Sequence, residues 1–437
     1  MITSPVFAGK RYAVLGLARS GLATVAALRA SGAHVTAWDN DEAKRKGLKG
    51  EIVVADPMMI DLAGFDGIVV SPGVPLNTHP IAAKAAAAGV PVIGDIELFA
   101  LARASLPPHK VVGITGTNGK STTTALIHHI LATAGVPTMM GGNIGLPILG
   151  QVPLPEGGVY VLELSSFQID LTHSLDCDVA VLTNITPDHL DRYEGFEGYA
   201  ASKARLFEMQ RPDQVAVISE SDPEAARLAK RLRAEAHDDQ TWRKVETARE
   251  RWLDQRNWPA LQGPHNAENA AVAITTCSVL GLHRTQIEQG LRTYPGLPHR
   301  MERVGEIDGV LYVNDSKATN ATSTAPALAA YPKVHWILGG RRKTDDLDAC
   351  APHYGHVVAA YTIGESADFY RELLLRSGIY TIDTGTLEAA VRQAAAVARP
   401  GETVLLSPAC ASYDQFRDYE ARGEAFKAAV AMLGSRG

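Results

Sequence analysis

The chain has 437 residues, 46% hydrophobic and 21% charged. That balance belongs to a folded globular protein and excludes disorder, and at roughly 150 residues per domain it predicts about three cores. Lys and Arg number 42 against 48 Asp and Glu, net −6, so no electrostatic pull toward nucleic acid or an anionic membrane is expected. Four cysteines, Cys177, Cys277, Cys350 and Cys410, stand 100, 73 and 60 residues apart. No zinc knuckle or CxxC pair can be drawn from them, which points to a reducing, cytoplasmic setting. Lys10, Arg11 and Arg19 interrupt the N-terminus before any signal-peptide run. Residues 130–155 carry no formal charge but hold nine glycines and prolines, so a membrane-spanning helix is excluded there.

Short apolar runs alternate with helix-length segments throughout, the pattern of open parallel sheets with helices on both faces. In the first third, 12–17, 34–38, 67–71 and 90–94 read as strands, with helices over 21–30 and 82–88. Ser105-Leu106-Pro107-Pro108 reads as a break. The alternation restarts with strands at 110–115, 159–164, 179–183 and 214–218 and helices at 120–133 and 265–280. Residues 237–258, with Trp242, Trp252 and Trp258, show no usable period. After a second break at 297–300, strands are predicted at 310–313, 334–338, 357–363 and 403–406. The fold class predicted is thus α/β with three consecutive open sheets: Rossmann-like, P-loop-like and Rossmann-like. The expected boundaries are 1–98, 99–298 and 299–437.

The strongest chemical signal is TGTNGKST at 115–122, between a predicted strand and helix. Glycines let backbone N–H groups turn toward phosphate, the helix N-terminus and Lys120 supply positive potential, and the Ser121 hydroxyl can ligate Mg²⁺. The general GxxxxGK[ST] spacing would need glycine at 114, where Ile114 stands, so this is the shorter TGTxGK[ST] form. A second glycine turn, Gly16 to Gly21, follows the first strand, with Asp39 ending the second. It lacks the middle glycine of a dinucleotide fingerprint, which leaves NAD and a nucleotide diphosphate both open. Further polar clusters follow strands: Glu163 to Gln168, Asn184 to Arg192, Asn314 to Asn320, Gly339 to Lys343 and Ser407 to Ser412. Strand C-terminal ends are where open α/β sheets collect ligands, and a carboxylate one strand from a phosphate loop suits Mg²⁺. Lys317, Arg341, Arg342 and Lys343 mark the third edge for an anionic substrate.

On these motifs the chain resembles the Mur ligases, the ATP-dependent amide-forming enzymes of peptidoglycan precursor synthesis. TGTNGKST, ELSSFQ, NITPDHLDRY, GPHNAENA, LPHRME, NDSKATN and SPACASYDQF occur in order from 115 to 416. NDSKATN and SPACASxDQF are similar to the D-glutamate-adding branch, and the DNPR-type motif of the diaminopimelate- or lysine-adding branch is missing. The resemblance implies a uridine-nucleotide domain, a central ATPase domain and a C-terminal domain that closes over ATP, acting as a monomer on UDP-N-acetylmuramoyl-L-alanine, D-glutamate and ATP. It implies two Mg²⁺, held by Ser121, Glu163, His189 and a carbamoylated Lys203. Lys120, Glu163, His189 and Lys203 would be the catalytic group. Gly116, Thr117, Asn118, Gly119, Lys120, Ser121, Thr122, Asn269, Arg300 and Asp315 would bind ATP. Arg19, Ser20, Asp39, Gly73, Asn143 and Ser165 would meet the uridine substrate, and Lys317, Thr319, Lys343 and Ser412 would meet D-glutamate. Two rivals from other classes are an NAD-dependent oxidoreductase, which leaves TGTNGKST unexplained, and a nucleotide-gated interaction module, whose ATP turnover would need no amino acid.

Overall fold

The structure is a computed structural model that describes residues 1–48, 52–188, 192–238, 244–248, 254–343 and 345–434. Apolar runs bounded by glycine become strands of three sheets, as the alternation predicts. The first sheet comprises β1 (Arg11–Leu15), β2 (His34–Trp38), β3 (Val53–Val54), β4 (Gly67–Val70) and β5 (Val92–Ile93), in the order β3-β2-β1-β4-β5. All its pairs are parallel. β4 is buried along its whole length, which explains an unbroken apolar run in place of alternation. The chain reverses direction of growth between β1 and β4, which makes that junction the sheet's ligand-binding crevice.

The second sheet comprises β6 (His109–Thr115), β7 (Thr138–Gly142), β8 (Gly158–Glu163), β9 (Val179–Leu182), β10 (Val215–Ser219) and β11 (Lys244–Ala248). Its order is β11-β10-β9-β6-β8-β7, again all parallel. β6 lies in the middle, between β8 and β9, and its C-terminal end feeds the phosphate loop. β11 falls inside the stretch 237–258 that sequence periodicity leaves unplaced; Trp242 and Trp252 lie outside the described residues. The break expected at 105–108 is not a loose linker. Arg103 donates to the Asp176 carbonyl at 2.6 Å and pairs with Asp178 at 3.2 Å, and Ser105 Oγ meets Ser4 Oγ at 2.8 Å. Charge pairing beneath the sheet thus holds a proline-rich segment in place.

The third sheet comprises β12 (Glu302–Ile307), β13 (Val310–Asn314), β14 (Val334–Gly339), β15 (Val357–Ile363), β16 (Thr381–Gly385) and β17 (Thr403–Leu406). The order is β12-β13-β17-β14-β15-β16. It is parallel except for β12, which runs antiparallel to β13. The two join through Asp308 and Gly309, both at positive φ (51° and 76°), as a two-residue hairpin turn requires. By compactness the chain forms two units, Met1–Leu253 with Glu268–Leu291, and Asp254–Ala267 with Arg292–Gly437. The first two sheets therefore share a unit. Among the described residues no helix is long and apolar enough to cross a membrane.

Candidate active site

The phosphate loop is built by β6 running straight into helix Lys120–Thr133. Gly116 sits at φ 143° and Gly119 at φ 81°. A Cβ on either would collide, with Thr183 Oγ1 at the first and Asn269 Oδ1 at the second. The glycines are there because neighbouring side chains press on the loop. Those neighbours also pin it: Asn184 accepts from the Thr117 amide at 2.9 Å and from the Asn118 amide at 2.8 Å. Thr183 Oγ1 donates to the Asn118 carbonyl at 2.6 Å, and Thr117 Oγ1 reaches the Thr186 carbonyl at 3.0 Å and Tyr199 Oη at 3.1 Å. Helix Lys120–Thr133 has no side-chain cap, so the first-turn amides of Ser121 and Thr122 are available to an anion. Sequence reasoning did not single out Thr183 or Tyr199; neither lies at a spacing that a motif would mark.

Two lysines converge on one carbonyl. Lys120 Nζ donates to the Gly116 oxygen at 2.9 Å and the Thr117 oxygen at 2.8 Å. Lys203, from helix Gly195–Glu208, donates to the same Gly116 oxygen at 2.8 Å and sits over the Tyr199 ring. Lys203 is 1% exposed. Burial, and then the charge of Lys120, lower its pKa to about 6 against the opposing pull of Asp188 and Asp170. At neutral pH this amine is largely uncharged, and an uncharged amine is a nucleophile.

Glu163 ends β8, in register with Ile114 of β6, and is buried. Its Oε1 accepts from Asn143 Nδ2 at 2.8 Å, and Asn143 is tied to the Glu163 carbonyl by its own amide at 2.8 Å. The other oxygen, Oε2, is buried with no hydrogen-bond partner. A carboxylate oxygen left so is costly unless something completes it. A hard cation fits there, with Ser121 in the first turn of the adjacent helix. Among the described residues no group of three or more His, Cys, Asp or Glu is arranged for a metal. His189 lies outside the described residues. Ser165 is occupied as the cap of helix Ser166–Asp170, in a reciprocal capping box with Gln168.

At the first sheet's crevice, Asp39 Oδ2 accepts from the Leu17 amide at 2.7 Å and Oδ1 from the Asp41 amide at 2.9 Å. Partial burial would raise its pKa, but these amides and Lys44 outweigh it and hold the carboxyl below its usual range. Arg19 reaches the Gly145 carbonyl at 3.2 Å, beside the turn that carries Asn143. Ser20 opens the same helix, and Gly73 is exposed with open space around it.

In the second unit, the turns after β13, β14 and β17 meet at one sheet edge. Lys343 Nζ donates to Thr319 Oγ1 at 3.1 Å, which brings two predicted D-glutamate residues together, and Ser412 is buried in the third turn. Lys317 lies 5.9 Å from the Tyr419 ring centre. Asp315 accepts from Ser407 Oγ at 2.7 Å and from the Met301 amide at 3.1 Å. Burial pushes its carboxyl up to about 7, against the pull of Ser407 and Arg300. Sequence reasoning missed the residue that binds the edge together. Arg422 is buried and donates to Ser316 Oγ (2.9 Å), the Ser316 carbonyl (2.8 Å), the Cys410 carbonyl (3.0 Å) and the Gly339 carbonyl (3.5 Å). One guanidinium fork thereby serves all three turns, and burial lowers its pKa to about 10.

Three family models match in chain order: Mur ligase MurD-like N-terminal domain over 10–94, Mur ligase middle domain over 114–277, and Mur ligase glutamate ligase domain over 299–410. The UDP-N-acetylmuramoylalanine--D-glutamate ligase of Novosphingobium aromaticivorans is 62% identical over 99% of this chain and 97% of its own. The protein of the same name from Sphingopyxis alaskensis is 63% identical over the whole of both. Among solved structures, the UDP-N-acetylmuramate-alanine ligase MurC of Thermotoga maritima shares the fold at TM-score 0.59 and 16% identity, covering 98% of this chain and 100% of that one. By fold, by domain order and by identity along its full length, the chain belongs to the Mur ligase family, among the relatives named UDP-N-acetylmuramoylalanine--D-glutamate ligases.

Proposed function

We propose that the chain is an ATP-dependent ligase that joins D-glutamate to UDP-N-acetylmuramoyl-L-alanine in peptidoglycan precursor synthesis, releasing ADP and phosphate. Identity above 60% to ligases of that name along the full chain supports the substrate choice. The observation that carries the chemistry is the pinned phosphate loop with Glu163 Oε2 unpaired on the next strand. Residues 1–98 serve as the uridine-nucleotide domain, 99–298 as the ATPase and 299–437 as the domain that delivers D-glutamate.

A carboxylate is a poor electrophile because its leaving group is oxide. The substrate's L-alanyl carboxylate therefore attacks the γ-phosphorus of ATP, the bond to ADP breaks, and an acyl phosphate forms. The amine of D-glutamate then attacks the acyl carbon; phosphate leaves and the amine's proton is lost. Both steps bring anions together, so the protein's part is largely positioning and charge neutralisation. The amides after Gly119 cradle the phosphates, and Lys120 leaves its loop carbonyls to follow the transferring phosphoryl group. Asn269 packs against Gly119 of the phosphate loop, and Arg300 and Asp315 are assigned to ATP by the family motifs that carry them. Ser121 and Glu163 would hold one Mg²⁺ and His189 a second, and these would offset the negative charge that the two anions share. Lys203 would join His189 as its carbamate: the neutral amine adds CO₂ and loses a proton, and an uncharged buried amine becomes an anionic oxygen ligand. Asn143 orients Glu163 and meets the muramoyl substrate with Ser165, while Arg19, Ser20, Asp39 and Gly73 line its nucleotide end.

D-Glutamate needs donors for its carboxylates, and Lys343, Thr319, Lys317 and Ser412 supply them from three turns. Losing one charge-assisted hydrogen bond costs roughly 1.5–3 kcal/mol. Ser412→Ala and Lys343→Ala are therefore expected to raise KM for D-glutamate about ten- to a hundredfold, with the KM for the uridine substrate nearly unchanged. Steady-state assays varying each substrate in turn check this; the reverse pattern would refute the assignment of the third domain. The function itself is tested by ADP release, which is expected to require both UDP-N-acetylmuramoyl-L-alanine and D-glutamate. Release that needs no amino acid would sink the ligase reading.

A further inference from the structure

At the crevice of the first sheet, where β1 and β4 lie side by side, a partly open cleft of about 10 Å³ has apolar walls from Val14, Val69, Val70 and Pro72 and polar groups from Ser20, Thr24, Ser71 and Asp95. That space accommodates one water and no organic group. Asp95 opens helix Asp95–Ala102 and is 5% exposed. Its Oδ1 is buried and makes no hydrogen bond to the protein. Burial pushes the carboxyl up to about 6, only partly offset by the amides of Ile96 and of Asp95 itself.

Asp95 is held where it is from the other side. The Gly94 amide donates to the Leu171 carbonyl at 2.9 Å. Two residues on, the Glu97 carboxylate accepts from the amides of His173 and Ser174 at 2.6 and 2.9 Å and from Ser174 Oγ at 2.7 Å. The carboxyl is therefore presented to the cleft by contacts that the cleft does not influence. Facing it is the start of helix Arg19–Ala30, whose N-cap residue Ala18 makes no side-chain cap. Ser71, on the same wall, donates from Oγ to the Gly16 carbonyl at 3.2 Å and so ties the turn after β4 to the turn after β1.

We propose that this cleft is a bound-water site through which Asp95 positions the two turns, 16–21 and 71–73, that receive the uridine substrate; the inference rests on the reading of the first domain given above. A water there donates to Asp95 Oδ1 and is shared with hydroxyls of the wall, which completes the orphaned carboxylate oxygen and links it to the uncapped helix start. Asp95 touches no substrate in this arrangement; it is a positioning residue.

Steady-state assays on the full-length protein, with UDP-N-acetylmuramoyl-L-alanine, ATP and D-glutamate varied in turn, test this with two variants. Asp95→Ala is expected to raise KM for the uridine substrate about tenfold while kcat and the other two KM values stay within about twofold. Asp95→Asn keeps an acceptor of the same shape and is expected to stay within about threefold of the unaltered protein. A high-resolution crystal structure is expected to show an ordered water within hydrogen-bond distance of Asp95 Oδ1. A folded Asp95→Ala protein with an unchanged uridine KM overturns the proposal, as does a rise spread over all three substrates, or a cleft without water. Should Asp95→Ala not fold, Asp95→Asn with the water retained upholds it, and Asp95→Asn that loses the water at unchanged KM overturns it. ADP release by the unaltered protein that ignores the uridine substrate would instead remove the functional reading, before any Asp95 variant is made.

Discussion

Replacing Lys120 with alanine is expected to lower kcat about a thousandfold or more while the protein stays folded. The side chain donates to the Gly116 and Thr117 carbonyls, and the loop is pinned independently by Asn184, Thr183 and Thr186. Its worth lies in the transition state, where charge accumulates on the transferring phosphoryl oxygens and a nearby cation gains more than it does in the ground state. The variant has a second consequence. Lys120 is one of the two causes that depress Lys203, so its removal lets the buried amine recover some basicity and disfavours the neutral form that the proposed carbamate requires. Turnover numbers with circular dichroism on the same preparation check the claim. A folded variant with ordinary turnover would dispose of the phosphate-loop role.

The second large effect is at Lys203. Lys203→Ala and Lys203→Arg are both expected to lose about a hundredfold or more in kcat at low Mg²⁺. Arginine supplies a positive charge but cannot become a carbamate, so equal damage from both separates an oxygen ligand from a plain cation. An active arginine variant would sink the carbamate. Stability should move the other way. The folded-state pKa of about 6 lies far below the ordinary 10.5, so between those values the unfolded chain binds more protons than the folded one. Stability then rises with pH across that window, and at pH 7 the buried amine still costs most of its penalty. Lys203→Met, apolar and of similar length, is expected to raise Tm by a few degrees at pH 7 and to flatten the climb in stability between pH 6 and 10.5. Thermal melts across that range are the measurement, and a Tm lowered at pH 7 would contradict the buried-amine argument.

Central strands were legible because they are buried on both faces: the runs at 34–38 and 403–406 coincide with β2 and β17, and 357–363 with β15. Of the edge strands only β5 was read, at 90–94. β7 is Thr-Met-Met-Gly-Gly and β16 Thr-Ile-Asp-Thr-Gly, each broken by glycine or aspartate before an apolar run can form, so neither stands out from a turn. β12 was missed although Asp308-Gly309 is a strong hairpin signal; its residues are only partly buried, so no run of apolar residues drew attention to it. At the site, the phosphate loop and Glu163 could be read from residue types beside predicted strand ends. The unpaired state of Glu163 Oε2, the near-neutral amine of Lys203 and the burial of Arg422 could not. Each is a consequence of desolvation by elements far away in sequence, and spacing carries no record of that.

The order of the third sheet bears on how the chain is made. β13 and β14 pair not with each other but with β17 between them, and β17 is the last strand synthesised. A nascent chain that has not yet reached Thr403 holds a β12-β13 hairpin and a separate β14-β15-β16 ribbon, each with a bare strand edge where β17 will insert. The second sheet has a late insertion of its own, β8 between β6 and β7, but there the chain runs on only from Gly142 to Gly158 before the gap is filled. At synthesis rates of about 5–20 residues per second, those edges stay open for several seconds, the interval in which unpaired strands are most prone to wrong partners. Arg422 follows β17 by only a few turns of chain and closes over all three loops. The C-terminal segment is thus the keystone of the unit, and a ribosome that stops short of it leaves two half-sheets and three loops that never meet.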